Sequence, residues 1–390
     1  MSSSNGKEGH FIIYILTRYF QNLLLLRNYD LCNEYNICIF FYFITDEPGL
    51  QFFAFQGNIN RTIKLNEIGR ISGEVYKKNN GKWIVQNRNM DLANGDVIHY
   101  WTYVQVNGII QHTFVASVKN GMLKIKPAIL EYHYGVNATM YGTLILSECS
   151  STIRAECQRK ATSFSILPPV ISARLVTKNS FHFRYGKIEI RAKFPEGDWL
   201  YPEMWLKPKY DYYGPDYSSG CIVLGLARGN DNLVNTVDGS IYDSRRLDFG
   251  VRIGTDLDIK NYMVSRTGKN GPRWTQDFHV YTTIWNSKGF QFLVDGEEVG
   301  KLNPPTDGWM YGNNFTKMAP FDQEFYIVIG VGVGGIRVFP DKTTSSGHIK
   351  PWKNIEAKAM LNFWHAEDKW LPSWGEKTAF EIDYIRVWSA

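Results

Sequence analysis

The residues best suited to chemistry are thinly spread in this sequence, and one stretch that reads as a buried strand holds almost none. "SSGCIVLGLARGN" (218–230) is a short apolar run leading into a polar turn. Its reactive atom is the Cys221 sulfur, and a thiol among apolar neighbours is inert because burial disfavours the thiolate. Cys149 and Cys157 stand close together in "ECSSTIRAEC", on a polar, loop-like stretch. They either close a small disulfide loop or remain two free thiols, since five cysteines do not fix the redox compartment. No Cys-x-x-Cys pair and no Cys/His cluster with zinc spacing occurs, so no metal and no cofactor is expected. N-x-S/T triplets at Asn60, Asn137 and Asn314 are glycosylation acceptors if the chain is secreted, although such triplets also arise by chance.

The elements that must position any site follow from composition and pattern. Apolar residues make up 44% and charged residues 21% of 390 residues, which is ordinary for a globular chain with a real core. The net charge of +5 comes without a basic stripe, which excludes a nucleic-acid reading. "GDVIHYWTYVQVNG" (95–108) alternates, with His99, Trp101 and Tyr103 on one face. "KIEIRAKF" (187–194) alternates strictly, Ile188, Ile190, Ala192 and Phe194 inward and the charged residues outward. Asp295-Gly296 and "NNGKW" before Trp83 are hairpin turns. "FYIVIGVGVGG" (325–335) is a buried strand and "FEIDYIRVW" (380–388) is another. Strands at short intervals without long helical periodicity predict an all-β chain of packed sandwiches.

The first 45 residues fit no category. "FIIYILTRYFQNLLLL" and "ICIFFYFI" are broken by polar residues and fall short of the roughly 18 apolar residues of a membrane span. No convincing signal peptide is present: the basic start is weak and no small-residue cleavage site follows. Their Phe/Ile/Tyr/Asn/Leu bias is what translated AT-rich non-coding DNA gives, which points to a gene-model artefact.

"SARLVTKNSFHFRYGKIEIRAKFPEGDWLYPEMWL", "GPRWTQDFHVYTTIW", "FDQEFYIVIGVGVGG" and "FWHAEDKWLPSW", together with the strand at 218–230, resemble the insect Gram-negative bacteria-binding proteins, or β-1,3-glucan recognition proteins. "DEPGLQFFAFQGNINRTI" and "NGKWIVQNRNMDLANGDVIHYWTYV" are similar to that family's N-terminal carbohydrate-binding module. The resemblance implies a small immunoglobulin-like β-sandwich followed by a jelly-roll sandwich of the glycoside hydrolase family 16 type. Residues 46–110 then form a truncated glucan-binding module and residues 111–390 a hydrolase-like domain lacking its first strand. The family's first strand and its linker have no counterpart here, so both sandwiches are expected to be short of an edge element.

Active relatives of the hydrolase domain carry Glu-x-Asp-x-x-Glu on one strand, since retaining hydrolysis needs a nucleophile and a general acid about 5–5.5 Å apart. By the resemblance those three positions fall on Cys221, Val223 and Leu226, which implies a pseudoenzyme. The cleft can still bind through Tyr201, Trp205, Trp274, Trp364 and Trp370, each of which is equally readable as core. Arg228 and Asn230 read either as sugar contacts or as a satisfied turn. In the N-terminal module Trp101 matches the principal stacking tryptophan, Tyr103 shares its face, and Glu74 stands where the family has an Asp. The implied role is extracellular recognition of β-1,3-glucan and other microbial wall polysaccharides in innate immunity, upstream of a serine protease cascade. The alternatives are a glucanase with relocated acids, Asp198 or Glu203, and a truncated product without function.

Overall fold

A computed structural model describes residues 11–12, 38–45, 50–61, 68–90, 98–106, 109–111, 115–119, 121–145, 158–162, 165–255, 258–267, 271, 273–310 and 315–389. In strands Cys38–Thr45 and Ile98–Val106 the description is of the backbone. Strands dominate, the helices are short, and no helix among the described residues is long and apolar enough to cross a membrane. The chain divides into two compact units.

The unit built on residues 14–122 contains a four-stranded antiparallel sheet in the order Ile71–Val75, Leu50–Ile59, Ile98–Val106, Ile109–Gln111. A second antiparallel pair joins Cys38–Thr45 to Lys82–Met90. Phe53, Phe55, Ile71, Trp83 and Val85 are buried between them. Gly73 lies so close to this second pair that a Cβ there would meet Val85 Cγ1 at 2.4 Å. The expected turn at "NNGKW" forms, with Asn80 and Gly81 both at positive φ (47° and 69°), as a two-residue hairpin loop requires.

The larger unit is a sandwich of two antiparallel sheets. One has the order Glu297–Leu302, Gly289–Val294, His279–Asn286, Gly186–Lys193, Phe380–Trp388, Met122–Ile125. The other runs Arg174–Val176, Phe325–Val333, Leu200–Pro208, Tyr217–Leu226, Arg246–Thr255, Asp258–Thr267. Gly186–Lys193 alternates as its sequence dictates. Ile188, Ile190 and Ala192 are buried, as is Phe194 just past the strand, whereas Lys193 pairs with Glu381 at 3.3 Å and Arg191 with Asp383 at 2.6 Å. Between the sheets Phe194 stacks on Tyr281 at 4.5 Å and Phe249 on Phe292 at 5.3 Å, pairs that add about 0.5–1.5 kcal/mol each beyond the area they bury. Asp295-Gly296 closes the hairpin between Gly289–Val294 and Glu297–Leu302. The Asp295 carboxylate also accepts the Val280 N–H at 2.8 Å, which ties the turn to the next strand.

The N-terminal tract does more than its composition suggests. Cys38–Thr45 is an eight-residue strand of the smaller unit, and Phe11–Ile12 pairs with Phe380–Trp388 in the larger one. The smaller unit thus has a strand where the family's first strand was expected to be missing, and the larger unit, expected to be short because its opening is lost at the junction, gains a two-residue strand from the same tract. Aromatic and β-branched residues are what a pleated, half-buried surface accepts, whatever their origin.

Candidate functional site

The strand Tyr217–Leu226 positions the residues that the sequence singled out. Val223 lies opposite Trp205 of Leu200–Pro208, and Cys221 lies opposite Arg252 of Arg246–Thr255. The register then shifts between Val223 and Leu226, so that Leu226 faces Asp248. Cys221, Val223 and Leu226 are buried to within 2% and belong to one apolar cluster with Trp205, Trp199 and Val328. Burial pushes the Cys221 thiol up, and the nearby Arg252 and Lys207 only partly offset this. The sulfur is a packed side chain with no thiolate character.

Two acids share this face, and both are engaged. Glu203 accepts two hydrogen bonds of 2.5 Å from Arg174, one on each oxygen. Asp248 accepts from Arg246 Nε at 2.9 Å, Ser265 Oγ at 2.5 Å and Arg228 Nη1 at 3.3 Å. Burial alone would raise Asp248, but Arg228 and Arg246 outweigh it and hold the carboxyl below its ordinary range. Asp248 is therefore no proton donor at neutral pH. Arg228 is itself buried, its Nε donating to the Val338 carbonyl at 2.6 Å.

Asp198, the other relocated acid, sits just before Leu200–Pro208 in a loop knot. Its Oδ1 accepts from Asn230 Nδ2 (2.9 Å) and Ser345 Oγ (2.7 Å), while its carbonyl accepts the Trp374 indole N–H at 3.0 Å. Desolvation raises its pKa against those hydrogen bonds. Asp198, Ser345, His348, His365 and Lys369 border a cavity of about 370 Å³.

The aromatic candidates separate. Trp205 lies on the face that carries Cys221, Val223 and Leu226 and is buried in their apolar cluster rather than open to a ligand. Tyr201 shares that face, half-buried, and fits because Gly332 across from it has no side chain; a Cβ there would meet the Tyr201 ring at 2.1 Å. Trp274 is buried and edge-on to His279 at 4.8 Å. Trp364 is buried in the helix Ala359–His365. Trp370 stacks on Phe363 at 4.5 Å, and its N–H donates to the Phe363 carbonyl at 2.9 Å.

In the smaller unit the register aligns the other candidates. Ala54 is opposite Glu74 on one side and Tyr103 on the other, and Gln56 is opposite Ser72 and Trp101. Positions 74, 101 and 103 therefore share one face of the sheet; the side chains of Trp101 and Tyr103 lie outside the described residues. Glu74 is exposed and accepts the Tyr76 hydroxyl at 2.8 Å, while the Tyr76 ring packs 4.7 Å from Phe52. Tyr76 and Phe52 extend that face and were not singled out from sequence, because Tyr76 falls just past the strand where alternation stops being a guide. Gln56 and Asn58, buried on the same strand, accept the Gly69 and Arg70 N–H groups and fix the entry to Ile71–Val75. Asn60 and Asn137 are exposed; Asn314, Cys149 and Cys157 lie outside the described residues.

Comparison with known proteins places this arrangement. The family model CBM39, a carbohydrate binding domain (family 32), matches residues 40–121, and that of glycosyl hydrolases family 16 matches residues 259–354. The beta-1,3-glucan-binding protein of Hyphantria cunea is 31% identical over 451 aligned residues, covering 88% of this chain and 92% of its own. The chain belongs to the β-1,3-glucan-binding protein family. A second family member, beta-1,3-glucan-binding protein 1 of Galleria mellonella, is 38% identical over 295 residues, and Gram-negative bacteria-binding protein 1 of Drosophila melanogaster is 37% identical over 287. The chain covers 70% of itself in both alignments but spans only 55% and 57% of those two relatives. Among solved structures the laminarinase from Rhodothermus marinus aligns over 74% of this chain and 83% of its own, with 20% identity and a TM-score of 0.45. The family's two-part layout, all-β throughout, is the fold described above.

Proposed function

We propose that the chain is a non-catalytic recognition protein for microbial β-1,3-glucan, acting outside the cell in innate immune signalling upstream of a serine protease cascade. The observation that carries this reading is the strand Tyr217–Leu226. It keeps an irregular register between positions 223 and 226, yet presents sulfur and hydrocarbon where a glucanase would present three carboxyls. Double displacement needs a nucleophile and an acid that can change protonation state. The acids that remain on this face, Glu203 and Asp248, are held by arginines. Names of the relatives, glucan-binding throughout the two moth proteins, agree with binding without hydrolysis.

The glucan face in this reading is the sheet of the smaller unit, with Trp101 stacking on sugar C–H faces, Tyr103 beside it, and Glu74 accepting hydroxyl hydrogen bonds. Residues 46–110 form the binding module and residues 111–390 the hydrolase-like domain, whose partly buried Tyr201 supplies aromatic surface; the buried Trp205, Trp274, Trp364 and Trp370 serve packing. The test is retention of the full chain on insoluble β-1,3-glucan against cellulose, with reducing ends assayed in the supernatant. Selective retention without new reducing ends is expected. Released sugar would overturn the non-catalytic reading, and equal retention on cellulose would overturn the ligand.

A further inference from the structure

Of the three glycosylation triplets, Asn137-Ala138-Thr139 lies wholly among the described residues, and its two ends are in opposite states. It stands in the larger unit, at the turn between the short helices Leu130–Tyr134 and Ala138–Tyr141. Asn137 is exposed with φ at 65°, a left-handed conformation that asparagine tolerates, and its side chain makes no capping hydrogen bond. Its carbonyl accepts the Met140 and Tyr141 N–H groups at 3.1 and 2.9 Å, so the backbone is held while the amide is left unbonded. Thr139 is fully buried. Its N–H donates to Glu131 Oε1 at 3.3 Å and its carbonyl accepts the Leu167 N–H at 2.9 Å, yet its Oγ1 is buried without a hydrogen-bond partner. Such a hydroxyl has lost its water and gained nothing, and valine, of nearly the same shape, would avoid the penalty. Around the triplet Tyr132, Tyr134, Val136 and Tyr141 are each more than half exposed. Tyr141 stands one helical turn beyond Asn137, which makes the two neighbours on the surface. So much apolar and aromatic surface in one short segment calls for a cover.

A hydroxyl that is idle in the folded chain is explained by a reaction that precedes folding. Attachment of a glycan to asparagine requires a Ser or Thr two residues on, and the extended chain offers that hydroxyl before the core closes over it. We propose that Asn137 carries an N-linked glycan and that this glycan lies over Tyr134, Val136 and Tyr141 as their cover. In the transfer, made by an oligosaccharide transferase of the secretory pathway, Asn137 Nδ2 attacks the anomeric carbon of a lipid-diphosphate-linked oligosaccharide. The bond from that carbon to Nδ2 forms, its bond to the diphosphate oxygen breaks, the amide gives up one proton, and the lipid diphosphate departs. Sugar C–H faces pack on tyrosine rings and turn their hydroxyls to water, so the attached chain replaces apolar surface by polar. The modification rests on the extracellular reading above and uses none of the residues of the proposed glucan face.

The full chain is expressed in insect cells behind a secretion leader and recovered from both the secretory pathway and the medium. Its peptides are read by mass spectrometry before and after peptide N-glycosidase, which leaves an aspartate at each asparagine that carried a glycan. An occupied Asn137 is expected. Thr139→Val and Asn137→Gly are each expected to lose that glycan, glycine being chosen because it keeps the left-handed backbone without strain. Thr139→Val should unfold at no lower temperature than the deglycosylated parent, because the hydroxyl it removes bonds to nothing. Both variants should self-associate at about tenfold lower concentration than the glycosylated chain, read by sedimentation. Tyr134→Ser with Tyr141→Ser in the Asn137→Gly background should reverse this. An unmodified Asn137 in the recovered chain overturns the site. A glycan whose removal leaves self-association unchanged overturns the cover. A Thr139→Val chain that unfolds earlier than the deglycosylated parent overturns the idle hydroxyl. None of these measurements uses glucan, so a chain that fails to be retained on β-1,3-glucan refutes that function and leaves this result standing.

Discussion

Placing an acid on the strand Tyr217–Leu226 should cost very different amounts at two positions that look alike. Cys221 and Val223 are both 0% exposed, two residues apart on one strand and on the same face. What differs is the residue across the ladder: Arg252 for Cys221, Gly250 for Val223. Val223→Asp buries a carboxyl against Gly250 and the Trp205 ring, with no cation directly opposite. An uncompensated buried charge of this kind costs about 3–5 kcal/mol. Cys221→Asp buries the same group but sets it opposite Arg252, which forms no ion pair among the described residues and whose Nε is buried without a hydrogen-bond partner, so most of that cost is offset. The difference between the two variants should therefore be about 3 kcal/mol in favour of Cys221→Asp, several degrees in Tm for a unit of this size. Denaturant unfolding followed by tryptophan fluorescence reads it directly. The pH dependence supplies an independent sign. Desolvation raises the folded pKa of Asp at 223, so its penalty is full above that pKa and fades as the carboxyl protonates at lower pH. At 221 the guanidinium lowers the folded pKa, so the favourable pairing is present above the unfolded value and lost as pH falls. Equal costs, or parallel pH profiles, would refute the claim that Arg252 lacks a counter-charge.

Other outcomes follow from the same geometry. Asp248→Asn leaves Arg228 buried without its carboxylate and should destabilise by about 3–5 kcal/mol, measured by thermal unfolding. Because Asp248 titrates below its ordinary range when folded, the wild-type chain should lose that contribution as pH falls beneath the usual carboxylate range, and the variant should show a flatter acid limb. Asp198 runs the opposite way: its raised folded pKa means stability is gained as pH falls through that pKa, and Asp198→Asn should remove this slope while keeping an oxygen for Asn230 and Ser345. Gly332→Ala forces a methyl into the Tyr201 ring and should cost about 1–3 kcal/mol by the same measurement. Trp101→Ala should weaken retention on insoluble β-1,3-glucan at least tenfold, the consequence of losing about 1.5–3 kcal/mol of ring burial, without moving the unfolding midpoint of the larger unit.

Much of this fold is written in short-range pattern. Period-2 alternation located Gly186–Lys193, an apolar run located Phe380–Trp388, and Asp295-Gly296 marked a turn, because each is decided by residues adjacent in the chain. The site is legible only in part. What surrounds an aromatic is a property of the sheet, so Trp205 and Trp370 look equivalent in sequence, yet one is buried among cations and the other stacks on Phe363. Arg228 and Asn230 read either as sugar contacts or as a satisfied turn and prove to be buried struts, Arg228 to the Val338 carbonyl and Asn230 to Asp198 and Ser345, partners more than thirty residues away. Arg252 gave no signal at all. Its meaning depends on register with Cys221, which no local pattern encodes.

The irregular step between Val223 and Leu226 has a consequence for what the strand can carry. Gly225 sits inside that step, and a Cβ there would meet Met204 Cε at 2.7 Å and Tyr281 Cδ1 at 3.3 Å. The spacing of positions 221, 223 and 226 is thus set by atoms on the far side of the sheet, where the two layers lock together. Its backbone is a chassis, and the buried side chains at those three positions are the fittings it carries. A change of fittings alters what the strand must bury and leaves the chassis where it is, because the contacts at Gly225 that set the spacing involve none of the three.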